Sequence, residues 1–168
     1  MVEVFMVHPN LQLSSCNNDL TKDLNRYKSV YETLQERYNE QLRAFEKSHG
    51  GSKEDDGSLQ FKELGYIKYF VDLAQKEYEY MCSYYQINNI IRKYFSKQEI
   101  SPETEEEGLD LIEKEMASYK EIEKELDQLK ARRGDVEQPI AEYCKRHPDD
   151  EGCKNRKEPF IDTINAHN

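Results

Sequence analysis

From Leu109 to Tyr143, apolar or aromatic residues recur in steps of three or four. They are Leu109, Ile112, Met116, Tyr119, Ile122, Leu126, Leu129, Val136, Ile140 and Tyr143, with Arg133 as the one polar residue in register. That spacing averages about 3.5 residues and is the signature of a coiled-coil seam. Ser101, Pro102 and the acids that follow supply an N-cap, a first helical position and a favourable charge at the positive end of the helix dipole. The pattern predicts a helix over 102–147. Pro139 removes a backbone donor and crowds the preceding turn, which predicts a kink near 136–139.

Two further segments carry related patterns. After Asn17-Asn18-Asp19 come Leu20, Leu24, Tyr27, Tyr31, Leu34, Tyr38, Leu42 and Phe45 at the same spacing, and Gly50-Gly51 stops the run. A helix over about 18–48 is expected. The next segment, about 59–97, is apolar around much more of its circumference. Leu64, Ile67, Val71, Ala74, Tyr78, Met81 and Tyr85 form one row, and Tyr66, Phe70, Leu73, Tyr80, Tyr84, Ile87, Ile91 and Tyr94 another. At about 100° per residue the two rows cover an arc of roughly 240°, so this helix must meet more than one neighbour.

The expected fold is therefore all-α, an elongated antiparallel three-helix bundle of coiled-coil type running up-down-up. It would occupy 17–147, flanked by an extended segment at 1–16 and a turn and tail at 148–168. Composition agrees with an elongated shape. Charged residues make up 35% of the chain, against about 25% in average globular proteins. Narrow helical stripes need less apolar material than a compact core.

The net charge is −10, and its distribution is uneven. Eleven acids against three lysines give −8 between residues 101 and 128 alone. Nucleic-acid backbone and anionic membrane both demand concentrated positive charge, so neither is an expected partner. No targeting segment and no run approaching the ~20 apolar residues of a membrane span is recognisable. Four dispersed cysteines are too few for a disulfide scaffold, and the expected setting is reducing, cytoplasmic or nuclear.

No catalytic signature is present: no nucleophile elbow, no phosphate-cradling glycine loop, no His-Glu-x-x-His. An enzyme is not expected, nor a cofactor. The expected activity is binding to other proteins, as a scaffold or tether, in a homo-oligomer or a hetero-complex. A membrane-shaping domain of BAR-type architecture and an acidic inhibitor that mimics nucleic acid are the alternatives.

Three groups of residues stand out. Glu77, Tyr80, Tyr84, Ile87, Ile91 and Tyr94 share one face of the second helix and form the candidate partner surface, the part of its apolar arc left over once the first and third helices are packed on it. Glu103, Glu105, Glu106, Glu107, Glu121, Glu123 and Glu125 form an acidic face, either a docking site for a basic partner or simply a solvated surface. Cys144, His147 and Cys153 bracket a turn. They read as unrelated thiols at a helix end, as a disulfide between Cys144 and Cys153, or as three ligands of a zinc site that would need a distant fourth. No metal is expected.

Overall fold

The computed structural model describes residues 22–96 and 99–154, which form helices joined by turns, with no strand among them. The helices are α1 (Lys22–Ser48), α2 (Leu59–Phe95), α3 (Pro102–Ala131), α4 (Arg133–Arg146) and the single turn α5 (Glu151–Lys154). The extended segment expected at 1–16 and most of the tail lie outside the described residues.

The ends of the helices follow from local chemistry. Gly50 (φ 63°) and Gly51 (φ 91°) take left-handed backbone, and the Gly51 N–H closes onto the Glu46 carbonyl at 2.8 Å, terminating α1. Ser58 opens α2 by accepting from the Phe61 N–H at 3.1 Å. Ser101 does the same for α3 from the Thr104 N–H at 3.2 Å, with Pro102 as the first helical residue.

α2 packs against α1, α3 and α4. Its row Leu64, Ile67, Val71, Ala74 and Tyr78 is buried, as is the α1 stripe Leu24, Tyr31, Leu34, Tyr38, Leu42 and Phe45. These side chains belong to one apolar core. Phe45 at the end of α1 meets Phe61 at the start of α2, with ring centroids 5.6 Å apart, so the two helices run in opposite directions. The α2–α3 pairing also runs antiparallel. Tyr69, Lys76, Tyr80, Ser83 and Tyr94 bond in order to Leu129, Glu125, Glu123, Glu115 and Glu107.

The third expected helix is two helices, which corrects both the single span and the position of its kink. The break falls at Arg132 (φ −94°, ψ 7°), not at 136–139. The Arg132 N–H turns back to the Leu129 carbonyl at 3.0 Å, and the Tyr69 phenol donates to the same oxygen at 2.6 Å. Past the break, the Arg133 guanidinium lies 5.1 Å from the centre of the Phe70 ring and pairs with Glu137 at 2.6 Å. A cross-helix hydrogen bond and a cation–π contact thus hold the interruption on α2. Restarting the helix at Arg133 leaves Pro139 in the second turn of α4. The carbonyl it cannot serve is that of Asp135, an exposed residue.

Candidate interaction face

The α2–α3 contact differs in kind from the α1–α2 contact. In α3, Leu126 is the one apolar side chain that is fully buried, although the seam of that helix is unbroken in sequence. Ile112, Tyr119, Ile122 and Leu129 are half-buried, and a ladder of polar bonds runs beside them along the helix. Lys76 of α2 reaches both Glu79 at 3.3 Å and Glu125 of α3. Ser83 donates to Glu115 at 2.9 Å, Tyr80 to Glu123 at 3.1 Å and Tyr94 to Glu107 at 3.2 Å. The Tyr80 and Tyr119 rings stack at 4.6 Å, and the Tyr119 hydroxyl donates to that of Tyr80. The Tyr119 hydrogen bond, followed by burial and Glu123, pushes the Tyr80 phenol well above its ordinary pKa.

Of the seven acids in the candidate acidic face, Glu107, Glu123 and Glu125 therefore bond to α2. Glu103, Glu105, Glu106 and Glu121 are exposed. Sequence alone did not reveal that Tyr69, Lys76 and Ser83 would meet α3. Their common signal is position, since they lie on the same side of α2 as Tyr80 and Tyr94.

The six candidate residues of α2 divide along their own row. Glu77 is half-buried in a cleft of about 270 Å³ with Tyr27, Tyr80, Met81, Leu126 and Lys130. Burial raises its carboxyl pKa, and Lys130 opposes that shift. Ile87 is buried, and Tyr80 and Tyr94 are half-buried. Tyr84 and Ile91 are 45% and 44% exposed, and Leu109 of α3 is 53% exposed.

These exposed residues lie along one open edge of the helix pair. Lys76, Ser83 and Tyr94 bridge one edge through their bonds to Glu125, Glu115 and Glu107, with two clefts of about 280 Å³ beside the bonds. Toward the other edge, at about 100° per residue, lie Tyr84 and Ile91 on α2. On α3 that edge carries the seven-residue row Leu109, Met116 and Glu123, and Glu123 is the acceptor for Tyr80. Leu109 is thus an edge residue, although it is in register with the seam. Its neighbour Gly108 explains the misreading. A Cβ at 108 would stand 2.8 Å from the Tyr94 Cβ, so the helices touch there through a glycine and Leu109 is turned outward.

At the far end of the molecule Cys144 and Cys153 form a disulfide with Cα atoms 5.4 Å apart. Tyr143 beside it donates to Asp150 at 2.9 Å and lies 5.6 Å from the Lys62 ammonium. Cys82 is disulfide-bonded as well, and no described cysteine is free. No group of residues suited to a metal occurs among the described residues, and none of the helices is long and apolar enough to cross a membrane.

No family model, curated protein or solved structure matches this chain.

Proposed function

We propose that this chain is a protein–protein interaction module, a scaffold or tether, and that the open edge of α2 and α3 is its contact face. In this reading α1, α2 and α3 form an up-down-up bundle of coiled-coil type, with α4 continuing the third leg. The observation that carries it is the group Tyr84, Ile91 and Leu109, three large apolar side chains about half exposed along one edge. Large apolar side chains exposed along one edge and rimmed by charge are characteristic of contact sites.

An acidic inhibitor of nucleic-acid-binding proteins gains less support, because Glu107, Glu115, Glu123 and Glu125 are bonded to α2. The paired cysteines fit an oxidising compartment better than the reducing one expected from their sparse distribution.

The test is the double substitution Tyr84→Glu with Ile91→Glu. Both side chains are substantially exposed, so helicity and melting temperature are expected to stay near wild type. Affinity capture from the source cells, quantified for both proteins, is expected to lose its stoichiometric partner in the variant. The same partners recovered in equal yield by the folded variant would overturn the proposal.

A further inference from the structure

We infer that the open edge of α2 and α3 takes a basic amphipathic helix of another protein, an inference that rests on the interaction reading above. The edge is chemically two-sided. Its floor is apolar, with Tyr84 and Ile91 on α2 and Leu109 and Met116 on α3. Outside Leu109 and Met116, α3 carries a second seven-residue row of Glu106, Glu113, Lys120 and Asp127, all exposed. Three acids against one lysine leave that row negative along its length, and the exposed Glu105 adds to it. The corresponding outer row on α2 is Met81, Asn88 and Phe95, with the exposed Arg92 just beyond it, so the acidic charge of the edge belongs to α3.

An occupant that covers the floor must lay apolar side chains between these rims and direct its polar face toward α3. A helix with one apolar stripe does this at i, i+3, i+4 and i+7, and lysine or arginine flanking that stripe would meet the acidic row. From Glu77 to Tyr94 the edge is about 26 Å long, which matches a partner helix of about five turns. A second copy of this chain fits less well. It would bring together two chains that each carry −10.

The experiment is a selection from a displayed library of amphipathic helical peptides against the full-length chain. The apolar stripe of the library is constant and its polar face varies from acidic to basic. Basic faces are expected to be enriched, and the selected peptides should weaken steeply with added salt. Their affinity is expected to fall at least about tenfold in the Ile91→Glu, Leu109→Glu variant. A similar loss is expected in the Glu106→Lys, Glu113→Lys variant, whose apolar floor is intact. Circular dichroism of each variant establishes that it is folded.

Enrichment without preference for charge, combined with loss in the Ile91→Glu, Leu109→Glu variant, would overturn the basic partner and leave the interaction face standing. Binding indifferent to both variants, or no enrichment, would overturn both readings. Self-association in sedimentation that the Ile91→Glu, Leu109→Glu variant abolishes would assign the edge to a second copy and overturn the basic partner.

Discussion

His49 shows how much one residue can do where a helix ends. Its ring stacks on Phe45 at 4.0 Å, bonds the Phe45 carbonyl at 2.7 Å and pairs with Asp56 across the loop before α2. The Phe45 bond first, and then Asp56, raise the imidazole pKa above its ordinary value. The bonds from Ser58 lead those that hold the Asp56 carboxyl down, to about 2, with His49 contributing less. A raised histidine pKa stabilises below the unfolded value and is lost as pH rises through the folded one. A depressed carboxyl pKa stabilises above the unfolded value and is lost as pH falls through about 2. The loop is therefore expected to be tightest between about pH 4 and pH 6.5. Amide exchange at Gly57 and Ser58, corrected for intrinsic rate, should show maximal protection in that window, and a profile flat to pH 8 would count against the pairing. None of this was legible in the sequence, where His49 belongs to no recognisable motif. Asp56 lies seven positions further on, and only the glycine turns bring the two together.

The end of α1 and the start of α3 were legible, because caps are local properties of the chain. Ser101-Pro102 and Gly50-Gly51 mark their boundaries as written. The break at Arg132 was not legible, since what stabilises it is Tyr69, some sixty residues away in sequence. The close approach at Gly108 was hidden for the same reason. Substitution there should separate the two glycines that sit inside long helices. Gly108→Ala would push the Tyr94 Cβ and is expected to cost about 1–3 kcal/mol, outweighing the ~1 kcal/mol of helix propensity gained. Gly65→Ala in α2 meets nothing within 4 Å and should stabilise by up to about 1 kcal/mol. Urea unfolding of both variants checks the contrast, and equal effects would disprove the tight contact. At the other end, Cys144→Ser with Cys153→Ser opens a small loop whose closure contributes about 2–3 kcal/mol in the chain-entropy model. The end of α4 and α5 should then lose amide protection while α1 and α2 keep theirs. Unchanged protection would mean the disulfide constrains nothing.

At the scale of the molecule, α2 sets the dimensions. Its 37 residues span about 55 Å, longer than the diameter of a compact protein of this size. Solution scattering should give a radius of gyration well above the ~15 Å of compact packing, and a value near 15 Å at monomer mass would contradict the architecture. The candidate face was half legible at this scale. Tyr84 and Ile91 follow from the wide apolar arc of α2, but Leu109 and Met116 were read as seam residues because periodicity does not say how closely two helices approach. The difference between the two contacts of α2 also has a mechanical side. α1 is fastened by fully buried aromatic and aliphatic area, α3 by half-buried apolar side chains together with single polar bonds in series, each bond worth about 1 kcal/mol or less where water reaches it. Tension applied through the edge of α3 would load those bonds one at a time, like teeth of a zip, while the α1–α2 pair resists as one block. A tether built this way would lengthen in small steps before it failed.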